Sequence, residues 1–150
     1  MFFYEDFQEG QKFVSGERIV EYEDIQKFAD LTGDYNKLHF DQEFASGAGF
    51  QGVVAHGLLT LSIMMGLWYS LGLTNGTILA FAGLNSVSFK APVYPGDRIH
   101  IVGLFLSKRE LASRPKAGLV KLKLTGINSK NETVLEAELA LIVKKKKNSD

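Results

Sequence analysis

The stretch VVAHGLLTLSIMMGLWYSLGL, residues 53–73, decides how the rest of the chain must fold. It is long enough to suggest a membrane-spanning helix. Against that, His56, Thr60, Ser62, Ser70 and three glycines lie inside it, and the lysine run at 144–147 is too distant to orient a span. A helix that is apolar around its whole circumference is also what the centre of a soluble domain needs. The expectation is therefore a buried helix from about Gly57 to Leu71, stopped by Gly72, Asn75 and Gly76, with no membrane partner.

Such a helix must be covered, and the second half of the chain supplies the cover. Four strands are expected: Thr77–Lys90, Arg98–Ser107, Val120–Asn128 and Thr133–Val143. The last two alternate apolar and polar residues, and Pro92, Pro95, Gly96, ASRPKA (112–117) and SKNE (129–132) make the turns. Upstream, residues 11–20 form a strand or strand pair around Gly16. Residues 22–32 have helical spacing, with acids in the first turn and Gly33 as the stop. Residues 34–52 hold no sustained period beyond a short helical turn at 41–46, and long aperiodic connections in small domains are often functional. The fold class is α+β, an antiparallel sheet wrapped around a long central apolar helix, with residues 1–143 forming a single domain. Residues 144–150 (KKKKNSD) read as a charged, disordered tail.

The 150 residues are 45% hydrophobic and 23% charged, ordinary values for a folded chain. Seventeen basic and seventeen acidic residues give no net charge, so no nucleic-acid partner is expected. The balance hides a split. Residues 1–75 carry 4 basic and 11 acidic residues, and residues 76–150 carry 13 basic and 6 acidic. The split either helps one domain close or offers an anionic ligand a basic surface. There is no cysteine, which removes disulfides, thiolate metal sites and cysteine nucleophiles. The first residues, MFFYEDFQEG, lack the basic start of a secretory signal, and a cytoplasmic location is the expectation.

Chemistry concentrates in the aperiodic loop and at the head of the apolar helix. Gly33-Asp34-Tyr35-Asn36-Lys37-Leu38-His39 places a carboxylate five residues before an imidazole. Held together, Asp34 and His39 can share one water, the first accepting a proton and the second giving or taking another. Asn36 can hold a partner through its amide or fix the loop. The competing reading is a set of Asx turns with a surface histidine. Gly57 falls where the helix begins, so its N–H lacks a helical acceptor and suits a developing negative charge such as an enolate oxygen. His56 reads as a satisfied structural histidine and His100 as an exposed residue on a strand. The spacing of His39 and His56 offers no metal site. No phosphate-binding loop, dinucleotide fingerprint, nucleophile elbow or zinc pattern occurs.

Taken together, Gly33-Asp34-Tyr35-Asn36-Lys37-Leu38-His39-Phe40-Asp41, Phe50 and Val54-Ala55-His56-Gly57-Leu58-Leu59 resemble the hydratase motif of the MaoC-like (R)-specific enoyl-CoA hydratases. The stretch Leu84–Asp97, with its Phe89-Lys90-Ala91-Pro92-Val93 segment, resembles the central strand and turn of the same family. The likeness runs over roughly residues 8–143. It implies a hot-dog fold and a homodimer or a larger dimer-based assembly. It also implies reversible hydration of a trans-2-enoyl thioester to the (3R)-3-hydroxyacyl thioester, on CoA or acyl carrier protein and without a cofactor. Asp34 and His39 would be the catalytic pair, Asn36 their support, and the Gly57 N–H the thioester oxygen's partner. Lys90, Arg98, Lys108, Arg109, Arg114 and Lys116 are the cations available to CoA phosphates.

Two departures stand out: Lys37 replaces the family's usual proline, and Leu58 replaces a common methionine. Met64, Met65, Leu67, Trp68 and Tyr69 either pack the core or shorten an acyl pocket. The alternatives to a hydratase are a hot-dog thioesterase and a non-catalytic acyl-CoA-binding module.

Overall fold

The computed structural model describes residues 1–147. Its elements are β1 (Lys12–Val14), β2 (Arg18–Ile19), α1 (Tyr22–Thr32), α2 (Gln42–Gly47), α3 (Gly57–Ser70), β3 (Ile78–Phe89), β4 (Arg98–Glu110), β5 (Ala117–Asn128) and β6 (Thr133–Lys144). Two 3-10 turns, Tyr4–Asp6 and Lys37–His39, complete them. The strands make one antiparallel sheet in the order β1-β4-β5-β6-β3, with β2 also on β4.

The helix α3 lies on this sheet. Its Leu59, Leu61, Ile63, Met64, Leu67 and Trp68 are buried and share one core with Ile99, Ile101, Leu122, Leu124, Leu139 and Leu141. Close approach depends on missing side chains in the sheet. A Cβ on Gly126 would lie 2.7 Å from Met64 Sδ, and one on Gly103 would lie 3.1 Å from the Trp68 ring. Burying so many large side chains is the main driving force, at about 1.5–3 kcal/mol for each one fully covered. No described helix is long and apolar enough to cross a membrane.

Met64, Leu67 and Trp68 therefore pack the core, while Tyr69 is 66% exposed and Met65 half-buried. None of these five shortens the candidate cleft described below.

The strand ends differ from expectation at one hairpin. β4 continues past Ser107 to Glu110, and β5 begins at Ala117 rather than Val120. The charged run Lys108-Arg109-Glu110 has no apolar alternation to announce a strand, but it pairs with Gly118, Leu119 and Val120. Lys108 is also held from the N-terminal turn, its Nζ donating to the carbonyls of Tyr4, Glu5 and Phe7 at 3.2, 3.1 and 2.7 Å. This takes Lys108 off the cations available to a ligand. The start of the tail is docked as well. Lys144 ends β6, Lys145 Nζ pairs with Glu110 at 2.7 Å, and Lys146 pairs with Asp6. A disordered tail beginning at residue 144 is thus corrected for residues 144–146, and residues 148–150 lie outside the described part.

Candidate active site

The loop between α1 and α3 is built from turns that its own side chains hold. Gly33 ends α1 with φ +80°, its N–H on the Ala29 carbonyl. The Asn36 N–H donates to Asp34 Oδ1 at 3.2 Å, and the Leu38 N–H donates to Asn36 Oδ1 at 3.0 Å. Both are Asx-type bonds, so that local reading is correct. Its other half, a surface histidine, is not: the turn Lys37–His39 drives His39 inward to 8% exposure. Asn36 thus fixes the loop through its Oδ1.

Val54 clamps this turn from the neighbouring segment. Its N–H donates to the Leu38 carbonyl at 3.1 Å, and its own carbonyl accepts from His39 Nδ1 at 2.7 Å. A carbonyl can only accept, so the proton sits on Nδ1 and the lone pair of the neutral ring on Nε2. Burial pushes the His39 pKa below the ordinary imidazole value, the bond to Val54 opposes this, and His56 adds to the depression.

The expectation for His56 needs correction. Its Nε2–H does donate to the Asp34 backbone carbonyl, at 2.9 Å, but its buried Nδ1 meets no partner among the described residues. The two imidazoles, seventeen positions apart, stack with centroids 3.7 Å apart and planes 30° apart. A carboxylate oxygen of Asp34 and one nitrogen from each ring lie within 4.8 Å of one another. The Asp34 side chain comes from an exposed part of the loop. This is a metal-ligand set by composition, and spacing alone missed it. One nitrogen of each ring is already engaged, His39 Nδ1 by the Val54 carbonyl and His56 Nε2 by the Asp34 carbonyl, which leaves one nitrogen on each ring for any ligand.

Beside the triad opens a cleft of about 590 Å³, lined by His39, Phe50, Gly57, Thr60, Phe89 and Lys90 among others. Gly57 begins α3, so its N–H faces no helical acceptor. It is glycine for a second reason that the sequence does not announce. A Cβ there would lie 2.4 Å from Cε1 of Phe89, whose ring covers the helix start and is 56% exposed. Phe89 was missed as a site residue, although the matched Phe-Lys-x-Pro-Val segment contains it. Val134 and Leu135 also line the cleft, and nothing local in their strand announces that.

Lys90 is the one cation lining the cleft among the described residues, and it makes no ion pair there. His100 lies half-buried within β4 and takes no part in the site.

A sheet closed over one central helix, with a cleft at the helix N-terminus, defines the hot-dog class. A Mycobacterium tuberculosis protein with a double hot-dog fold shares it at TM-score 0.84, the present chain covering 46% of that chain at 18% identity. The chain belongs to the MaoC-like dehydratase domain family, whose model matches residues 6–127. It is 32% identical to the uncharacterised protein YdeM of Bacillus subtilis, over 94% of this chain and 98% of that one. It is 35% identical over 92 residues to a 3-hydroxyacyl-thioester dehydratase Z of Mycobacterium tuberculosis, a match spanning 61% of each.

Two further crystal structures fit closely. A monoamine oxidase regulatory protein from Archaeoglobus superposes at TM-score 0.90 and 33% identity, covering 97% of this chain and 96% of that one. The (R)-hydratase of Aeromonas caviae superposes at 0.73 and 26% identity, covering 91% and 96%.

Proposed function

We propose that this protein hydrates trans-2-enoyl thioesters to (3R)-3-hydroxyacyl thioesters, and runs the reverse dehydration, with Asp34 and His39 as the catalytic pair. The observation that carries this reading is the His39 ring, fixed through Nδ1–H, lining an apolar cleft with an Asp34 carboxylate oxygen within 4.8 Å of one of its nitrogens. A water between Asp34 and His39 gives its oxygen to the β carbon while the π pair moves toward the thioester oxygen. The proton taken from that water returns to the α carbon, so the product differs from the substrate by one water. The two side chains share these proton transfers. The Gly57 N–H and the α3 dipole stabilise the charge on the thioester oxygen. No cofactor enters these steps. Membership of the dehydratase family and the likeness to a thioester dehydratase and an (R)-hydratase support the same reading.

The working unit in this proposal is a pair of chains. Among the described residues β3 pairs with β6 alone, and its other edge has no strand beside it. Leu79, Phe81, Leu84, Val87 and Phe89 along it are each at least 37% exposed. A long apolar edge is a pairing surface, and the occupant that fits it is a second copy joined by its own β3. The double hot-dog chain, of which this one covers less than half, supplies the precedent for two units side by side. Phe89 belongs to both the edge and the cleft, so pairing would close the cleft mouth.

The test is the absorbance of crotonyl-CoA and its longer homologues with the wild type, Asp34→Asn and His39→Ala. Each substitution is expected to lower turnover by about 10²–10⁴-fold without unfolding the chain. Variants as active as the wild type would sink the assignment of the pair.

A further inference from the structure

His56 has no task in the reaction above, and it does not line the cleft. Yet it touches every part of the machinery. It is 2% exposed and is the residue that precedes Gly57 at the start of α3. Its Nε2–H reaches the Asp34 carbonyl 22 residues upstream, and its ring stacks on His39 at 3.7 Å. Phe28 of α1 packs against the same ring at 4.8 Å, and Phe40 lies edge-on at 6.4 Å. Its carbonyl accepts from the Thr60 N–H at 3.1 Å, which anchors it in the first turn of α3.

The bond to Asp34 places the proton on Nε2 and leaves the Nδ1 lone pair buried with no partner among the described residues. Burying such an atom costs stability. A phenylalanine of similar shape would fill the space without that cost. What it would lack is the Nε2–H, and with it the only tie between the Asp34 backbone carbonyl and the helix start among the described residues.

We infer that His56 is a positioning residue. Its ring ties the Asp34 loop, the His39 imidazole and the Gly57 amide into one rigid unit, so that carboxylate, base and oxyanion donor keep their mutual distances when substrate enters. The kinetic consequence rests on the hydration reading. The geometric one does not.

The experiment therefore reads both, on the full chain, in the wild type, His56→Phe and His56→Gln. Ring ¹⁵N NMR of the wild type is expected to find the His56 proton on Nε2 and the His39 proton on Nδ1. The titratable groups facing His39 are His56 and Asp34. Burial is retained in His56→Phe but the His56 contribution is lost, so His39 should titrate at a higher pH than in the wild type. With crotonyl-CoA, kcat in His56→Phe should fall by about 10²-fold, as misplacement on the ångström scale does, while KM changes by no more than about threefold. His56→Gln keeps an amide N–H and should recover at least about tenfold of that loss.

A wild-type His56 proton on Nδ1 overturns the inference. So does a folded His56→Phe whose His39 titration and kcat match the wild type. If His56→Phe does not fold, the wild-type tautomers and the glutamine variant decide. If the wild type hydrates no enoyl thioester, the hydration reading fails, and the tautomers with the His39 titration still judge the positioning role.

Discussion

At the scale of single residues, the site depends on where protons and side chains are held. His39 titrates below the ordinary imidazole value because it is buried, so the folded chain binds its proton less readily than the unfolded chain. Its contribution to stability is full above about pH 6.5, the unfolded value, and is lost as pH falls through the lowered folded value. Chemical denaturation of wild type and His39→Gln across this range should show a steeper acid-side loss in the wild type, and parallel curves would contradict it. Turnover should fall over the same limb as His39 gains its proton. Lys37 occupies the first position of a 3-10 turn, where proline is well tolerated, and Asn36 before it has φ −55° and ψ 135°, compatible with a following proline. Lys37→Pro should thus raise stability by about 0.4–1 kcal/mol, measured by the denaturation midpoint, with the Asp34–His39 geometry unchanged. Gly57→Ala should lower stability by about 1–3 kcal/mol by overpacking against Phe89. Adding Phe89→Ala should recover most of that loss, since the three atoms nearest the added Cβ all belong to that ring.

At the scale of elements, the apolar helix and the sheet were legible because each carries a strong period or an unbroken apolar run. α1 matches residues 22–32 to the residue, and α3 differs from its expected span by one position. The nearness of Asp34 and His39 was legible too, since both lie in one aperiodic stretch. What the sequence hides is long-range. The stacking of His39 on His56 depends on how residues 53–56 cross the turn Lys37–His39, which no local pattern encodes. The docking of Tyr4 against Gly118, where a Cβ would strike the ring, joins segments over a hundred residues apart. The same logic governs the helix seat. Gly126→Ala presses on Met64 and should destabilise the fold by about 1–3 kcal/mol. Thermal unfolding should show part of that loss relieved by Met64→Ala in the same chain, and strict additivity of the two costs would count against the contact.

At the scale of the molecule, the charge split noted in the sequence acquires structure. The acidic half carries the loop with Asp34, and the basic half contributes Lys90 to the cleft, while Lys108, Lys145 and Lys146 hold the N-terminal segment and the β4 end instead. If chains pair along β3, lysines at Leu84 and Val87 should split the assembly, since charge on an exposed edge opposes strand pairing. Sedimentation equilibrium should then report two chains for the wild type and one for the double variant, and identical masses would refute the edge. The central claim is the chemistry. Its most direct measurement follows one reaction with two readouts: the conjugated absorbance of a panel of trans-2-enoyl-CoA thioesters, and free CoA thiol. The account predicts that the absorbance falls without thiol release, giving the (3R)-3-hydroxyacyl product, and that Asp34→Asn slows the change by about 10²–10⁴-fold. Thiol release with the double bond intact, or no change with any chain length, would contradict it.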